Sequence, residues 1–331
     1  MKLSIIGGGA WGTTLAQTLS DNGHQVMIYD INHKTIDTIN NGIHPTFQTN
    51  LPKQIAATLS LKEVCDFSNM YVLSVPTKVV RGLLQQMNPY ITQKSVFINV
   101  SKGIEPKTLK RVSEIVFEEI TASLLKGYVA LTGPSHAEEV VKRKITLLVS
   151  ASENQTLAMD IQHIFSNEQY LRVYTSNDLI GCEVGGAIKN AIAVISGAAT
   201  GLQLGENARA AVITRGIVEI IRVVELMGGK RETAYGLTGV GDLIVTASSE
   251  NSRNFRAGKK VGMGIPMDQI YQESTQTIEG FRTIEAMHDL ALKHNIELPM
   301  IEAAYQIIFN QMHVEKALLS LLSRDLKKEQ F

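Results

Sequence analysis

Cysteine is almost missing from this chain: Cys65 and Cys182 are the only two among 331 residues, and they lie far apart. No CxxC pair exists, so neither a redox dithiol nor a zinc ribbon is signalled. Two lone thiols suit a reducing, cytoplasmic setting. Net charge is missing as well, with 32 basic residues against 32 acidic ones. Nucleic-acid-binding domains ordinarily carry a basic excess, so no nucleic-acid partner is expected. A local basic pocket for a small anion stays open. The eight histidines form no cluster with cysteines or carboxylates at ligand spacing, and no metal site is expected.

Long apolar runs are the third absence. Leu3-Ser4-Ile5-Ile6 breaks at Gly7, short of the roughly 7–15 apolar residues of a secretory signal. No such signal is expected. Val184 to Leu204 is rich in small apolar residues, but Lys189 and Asn190 sit inside it. A membrane span takes about 20 predominantly apolar residues, and an embedded lysine is costly there. The stretch reads as a buried helix packed closely against a neighbour, with no membrane partner. No internal repeat or low-complexity segment is visible, and the polar end from Lys327 to Phe331 reads as frayed.

What the chain does hold is a globular mix, 44% hydrophobic and 19% charged. Its length exceeds a typical single core, so two domains are expected. In the first half, short β-branched runs alternate with helical patterns. Strands are predicted at 2–6, 25–29, 71–75, 96–100, 128–132, 146–150 and 171–174, with helices at 11–21, 79–87 and 108–119 between them. Apolar strands alternating with helices imply a mostly parallel sheet covered on both faces. From about Asp178 the character changes: helices are predicted at 183–199, 207–227, 283–294 and 301–309, and no convincing strand follows. The expected division is therefore 1–178 and 179–331.

Gly7-Gly8-Gly9-Ala10-Trp11-Gly12 matches G-x-G-x-x-G. Alone the pattern is weak, but here it follows a strand and opens a helix within a βαβ unit. Gly7 would make the tight turn, Gly9 would admit a pyrophosphate to the backbone, and Gly12 would let helix and strand pack closely. The helix N-terminus presents free N–H groups to the phosphates. Asp30 ends the second strand, 18 residues after Gly12. An acidic residue there can bond the ribose 2′-OH and would repel a 2′-phosphate. No arginine follows it, so NAD(H) is favoured over NADP(H), with Lys34 as the residue that could still serve a 2′-phosphate. Trp11 can pack or lie along the cofactor. The fold class read from these patterns is α/β, a Rossmann-like doubly wound sheet followed by an all-helical domain.

Polar groups on glycine-rich turns recur downstream: Ser101-Lys102-Gly103, Gly133-Pro134-Ser135, Gly185-Gly186-Ala187-Ile188-Lys189-Asn190, Gly239-Val240-Gly241-Asp242-Leu243, Ser252-Arg253-Asn254 and Glu279-Gly280. Together with Gly9-Ala10-Trp11-Gly12-Thr13, in this order, they resemble the NAD(P)-dependent glycerol-3-phosphate dehydrogenases, most closely the soluble bacterial type. The resemblance runs from Gly7 to about Thr283.

It implies reduction of dihydroxyacetone phosphate to sn-glycerol 3-phosphate, supplying glycerophospholipid synthesis, by an enzyme that is often a homodimer. It also implies roles. Lys189 resembles the general acid/base, with burial and a neighbouring Lys102 expected to bring its pKa toward the working range. Asp242 would hold Lys189, and Asn190 and Thr246 would complete the polar shell around the carbonyl. Lys102 would stabilise negative charge on the oxygen or touch substrate and cofactor. Ser252, Arg253 and Asn254 resemble the phosphate-binding segment, where a planar guanidinium suits phosphate oxygens. Gly133 and Ser135 would contact substrate. Ala10, Trp11, Ile31, Ala137, Arg253, Thr277 and Glu279 would lie near the cofactor.

His136 stands where the family carries an aromatic residue and is assigned packing. Ile31 replaces a basic residue common in bacterial members, which bears on NADP(H) use. Two rivals remain. One is another two-domain 3-hydroxyacid dehydrogenase, which would lack the Gly-Asp-Leu and Ser-Arg-Asn pairing. The other is a non-catalytic NAD sensor, which would be expected to have lost Lys189 or Asp242.

Overall fold

A computed structural model describes residues 1–273, 278–326 and 328–329. The end segment predicted to fray thus lies partly outside the described residues. The chain divides into two compact units, one of Met1–Glu105 with Lys110–Glu183, the other of Pro106–Leu109 with Val184–Phe331. The division falls inside the helix Leu179–Gly201 rather than ahead of it, five residues past 178.

The first unit is built on one sheet of eight strands: β1 (Lys2–Ile6), β2 (Gln25–Tyr29), β3 (Ile55–Thr58), β4 (Met70–Leu73), β5 (Ser95–Asn99), β6 (Leu125–Thr132), β7 (Thr146–Ala151) and β8 (Leu171–Ser176). Their spatial order is β3-β2-β1-β4-β5-β6-β7-β8. Every pairing is parallel except β6 with β7. Ile5 pairs with Ile28 on one side and Val72 on the other. With Leu3, Val26, Val96, Ile98, Val129 and Leu131 they form the buried core of the sheet, onto which the helix Ala10–Asp21 packs Leu15, Ala16 and Leu19. Strands this apolar on both faces belong in a covered parallel sheet. The order reverses between β1 and β4, and such switch points carry ligands at the carboxyl ends of strands.

Two differences from the sequence reading have local causes. The strand β3 was not anticipated: Ile-Ala-Ala-Thr is short, only partly buried and at the sheet edge, so it lacks the β-branched run that marks a strand. The helix expected over 108–119 starts only at Val112. Lys107 and Leu109 adopt φ values of +69° and +59°, a left-handed backbone no helix can contain. Arg111 precedes the helix in extended conformation, and its N–H donates to Glu114 Oε2 at 2.9 Å.

The second unit is helical, and no strand occurs in it among the described residues. The helices Leu179–Gly201, Gly205–Leu226, Glu279–His294 and Pro299–Ile308 lie where predicted to within a few residues. Arg231–Ala234, Asp242–Ala247, Arg253–Gly262, Met267–Glu273 and Val314–Leu322 are additional, each too short for a long apolar period to show. The helix Leu179–Gly201 has the length and hydropathy of a membrane span, yet 83% of that stretch is buried within the protein. Its glycines explain the burial. A Cβ on Gly197 would stand 2.0 Å from Phe255 O and one on Gly201 2.2 Å from Lys259 O. In return, a Cβ on Gly258 would stand 1.9 Å from Val194 O and one on Gly262 2.1 Å from Ala198 O. The helices Leu179–Gly201 and Arg253–Gly262 touch backbone to backbone through four glycines.

Candidate active site

In the sheet unit the predicted residues gather at strand carboxyl ends. Gly7 follows β1 with φ +113°, a conformation that glycine adopts without steric cost, and donates to Tyr29 O at 2.8 Å. Gly9 precedes the helix Ala10–Asp21, whose first turn carries neither a side-chain cap nor an acidic residue. A Cβ built on Gly9 would meet nothing within 4 Å. A bare helix N-terminus beside open glycine backbone fits a dinucleotide pyrophosphate. Gly12 is pressed onto the turn, where a Cβ would lie 2.0 Å from Gly7 O. Ala10 opens the helix, and Trp11 lies half-buried against the core.

Asp30 follows β2. Its two carboxylate oxygens accept one backbone N–H each, from Gly8 at 2.7 Å and Asn32 at 2.9 Å. Each oxygen keeps a further lone pair. Ile31 beside it is 82% exposed. After β5, Lys102 Nζ donates to Gly133 O at 3.0 Å and to Ser135 Oγ at 3.4 Å. Gly133 has φ +131° and accepts from Ser135 Oγ at 2.9 Å. Three predicted residues, from the loops after β5 and β6, therefore meet on one ammonium. Ala137 starts the short helix Ala137–Val140 and is buried.

In the helical unit the cluster centres on Lys189, only 4% exposed. Its Nζ forms an ion pair with Asp242 Oδ1 and donates to Thr246 Oγ1 at 2.7 Å. Thr246 Oγ1 in turn donates to Asp242 O at 2.6 Å. Asp242 and Thr246 are also buried, so the ammonium is matched by a carboxylate and a hydroxyl away from water, as a buried charge requires. Asp242 begins the helix Asp242–Ala247, straight after a single π-helical turn over Leu237–Gly241. The glycine run Gly239-Val240-Gly241 thus lies in a wide helical turn, a local geometry frequent at functional sites. Asn254 Nδ2 donates to Asn190 Oδ1 at 2.9 Å, and Gly280 N donates to Asn254 Oδ1 at 2.9 Å. Ser252 Oγ accepts from Phe255 N at 3.2 Å as a helix cap, while Arg253 beside it is exposed. Glu279 opens the helix Glu279–His294 and is half-buried. Thr277 lies outside the described residues.

Two family profiles divide the chain between them. The profile of the NAD-dependent glycerol-3-phosphate dehydrogenase N-terminus matches residues 2–158, and that of the C-terminus matches 178–319. The chain belongs to the NAD-dependent glycerol-3-phosphate dehydrogenase family. A glycerol-3-phosphate dehydrogenase [NAD(P)+] of Acholeplasma laidlawii is 60% identical over 329 residues, covering 99% of each chain. One from Bacillus thuringiensis is 44% identical over 332 residues, covering 99% of this chain and 97% of its own. The crystal structure of glycerol-3-phosphate dehydrogenase from Coxiella burnetii superposes with a TM-score of 0.92 at 32% identity, covering 98% of this chain and 99% of that one.

Several residues that shape the family fold here carried no motif. Glu183 is a buried carboxylate accepting from Ser113 N at 3.0 Å, Ser113 Oγ at 2.5 Å, Tyr128 OH at 2.5 Å and Arg111 Nη1 at 3.2 Å. Burial pushes its carboxyl up, against those bonds. Arg81 forks onto Glu105 at 2.8 and 2.9 Å, bracing the loop that begins with Lys102. His44 is fully buried, with Nδ1 accepting from Thr46 N at 3.2 Å and Phe47 N at 3.3 Å, and Nε2 lying 3.2 Å from Thr14 Oγ1. Glu219 accepts from Met300 N at 2.7 Å and Ile301 N at 3.2 Å, at the start of the helix Pro299–Ile308. Apart from Thr46 and Phe47, two and three residues from His44, these partners lie 24 or more residues away, and no spacing rule links them. The one available signal was a charged residue inside an apolar helical stretch, Glu183 and Glu219 among them.

Proposed function

We propose that the protein reduces dihydroxyacetone phosphate to sn-glycerol 3-phosphate with NADH or NADPH, reversibly, and so supplies glycerophospholipid synthesis. Family membership supports the reaction, and the observation that carries the mechanism is the buried Lys189–Asp242–Thr246 cluster. The bound nicotinamide supplies a hydride to the C2 carbon. Lys189 Nζ gives a proton to the C2 oxygen, so the carbonyl π bond is replaced by one C–H and one O–H bond. In the reverse direction the neutral amine takes that proton back. Asp242 balances the ammonium, and Thr246, which directs its own hydrogen at Asp242 O, offers Lys189 an acceptor that fixes the amine. Ser252, Arg253 and Asn254 take the phosphate, with the exposed guanidinium of Arg253 as the charged contact. Lys102, held with Gly133 and Ser135, serves charge on substrate or cofactor.

The dinucleotide is held by Gly7, Gly9, Ala10, Trp11 and Gly12, with Asp30 on the ribose and Ile31 and Ala137 nearby; the family resemblance also assigns Thr277 and Glu279 to the cofactor. Asp30 keeps its carboxylate fixed by two N–H groups, which favours NAD(H), since a 2′-phosphate would face that charge. Two buried cysteines outside any disulfide, Cys65 and Cys182, support a reducing cytoplasmic setting. The family resemblance supports a homodimer, checked by light scattering. Loss of NADH absorbance with dihydroxyacetone phosphate, but not with 3-keto acids or with unphosphorylated dihydroxyacetone, is the deciding experiment. Turnover of a 3-keto acid alone would replace this reading with the 3-hydroxyacid one.

A further inference from the structure

Asn190, Asn254 and Gly280 form a chain of hydrogen bonds whose direction is forced. A backbone N–H can only donate. That of Gly280 meets Asn254 at 2.9 Å, so the atom it meets is the carbonyl oxygen Oδ1. The NH2 end of Asn254 then faces Asn190 at 2.9 Å, and Asn190 must receive it through its own Oδ1. Amide oxygen and nitrogen are alike in shape and are normally assigned from their surroundings; here a main-chain donor settles both. What remains of Asn190 is its Nδ2, a double donor. The residue is only 6% exposed, and its Nδ2 has no hydrogen-bond partner among the described residues. Unlike the enclosed, unpartnered hydroxyls of Thr77 and Thr132, this Nδ2 is not sealed from solvent, so an incoming ligand oxygen can reach it and accept.

Gly280 has to be glycine for this to work. A Cβ there would lie 2.6 Å from Asn190 O and 2.5 Å from Val194 Cγ2, and would push the main chain away from Asn254.

We propose that Gly280 and Asn254 are positioning residues that lock Asn190 as an obligate hydrogen-bond donor toward the reacting oxygen of the substrate. The inference rests on the reaction proposed above. Asn190 immediately follows Lys189, so one helical turn presents the proton source and a fixed neutral donor together. A donor aimed at that oxygen binds it more strongly as it gains negative charge, whereas an acceptor there would repel it. Asn254 thereby has a task separate from the phosphate.

A double-mutant cycle tests this, using Asn254→Asp and Asn190→Ala in the full-length enzyme. Aspartate at 254 still accepts from Gly280 but cannot donate to Asn190, which is then free to turn its oxygen outward. Each single variant is expected to lower kcat for dihydroxyacetone phosphate by about 10²-fold, mostly without raising KM and without changing NADH affinity, and the double variant to be no worse than Asn190→Ala within about threefold. Losses that multiply to about 10⁴-fold, or a normal kcat in Asn254→Asp, would overturn the relay. A wild type that does not turn over this substrate would instead sink the proposed reaction. Side-chain amide exchange in isotope-labelled wild type then reads the relay directly, and also serves if a variant does not fold. The Asn254 amide should exchange at least about tenfold more slowly than a free amide; exchange at the free rate would overturn the proposal.

Discussion

The two units use glycine for opposite ends. In the sheet unit, glycine shapes the loops proposed to bind cofactor and substrate: Gly7 and Gly133 take φ values of +113° and +131° at strand carboxyl ends, and Gly9 leaves open space. In the helical unit, glycine removes space. Gly197, Gly201, Gly258 and Gly262 let two helices meet with built Cβ positions 1.9–2.2 Å from facing carbonyl oxygens. Replacing the first kind should cost ligand; replacing the second should cost the fold. Two buried groups, one in each unit, are shifted in opposite directions. The sheet unit holds His44, pushed down to about 4 by burial. The helical unit holds Glu219, pushed up to about 7 by burial against the bonds from Met300 and Ile301.

The largest expected effect separates chemistry from cofactor binding. Lys189→Ala should lower kcat by about 10²–10⁴-fold while NADH affinity, followed by fluorescence titration, stays within a few-fold. A kcat near wild type would remove Lys189 from the reaction. Next come the two glycine classes. Gly9→Ala puts a Cβ into the open space beside the helix N-terminus, where nothing of the protein lies within 4 Å, and should weaken NADH by about tenfold or more with little change in Tm. Gly258→Ala forces a Cβ onto Val194 O and should destabilise the protein by about 1–3 kcal/mol, with the folded fraction binding NADH normally. The comparison breaks if both variants behave alike.

Opposite pH slopes follow from the buried pair. A histidine lowered on folding stabilises above its unfolded value near 6.5, and that stability is lost as pH falls toward 4. A carboxyl raised on folding stabilises below about 4.5, and that stability is lost as pH rises through about 7. Between about pH 4.5 and 6.5, acidification should therefore weaken amide protection around His44 and strengthen it around Glu219, each by at most about 1.4 kcal/mol per pH unit. Hydrogen exchange read separately over residues 43–51 and 215–226 checks the signs. Glu219→Gln should abolish the second slope and leave the first. The smallest effect is on cofactor choice: Asp30→Ala should shift the NADH-to-NADPH affinity ratio toward NADPH by several-fold. Equal losses for both would show that Asp30 serves only its bonds to Gly8 and Asn32.

Much of the scaffold was legible because its signals are local. Apolar runs such as Lys2–Ile6 and Val96–Ile98 read as covered strands, and Gly7 to Gly12 read as a turn entering a helix. Long helices announced themselves by period. The edge strand Ile55–Thr58 did not, because pairing with β2 rather than its own composition makes it a strand. The delayed start at Val112 was hidden too, since nothing in Lys107 or Leu109 demands a left-handed backbone.

The candidate site divides the same way. Sequence alone determined which residue types stand on which elements, because side-chain chemistry and hydrophobic period are properties of the chain itself. Only the tertiary structure decided that Lys189 meets Asp242, 53 residues on, that Gly280 aims its N–H at Asn254, and that His44 and Glu219 lose water. Those outcomes depend on which distant segments share a core, and a hydrogen bond or a burial cost exists only once they do.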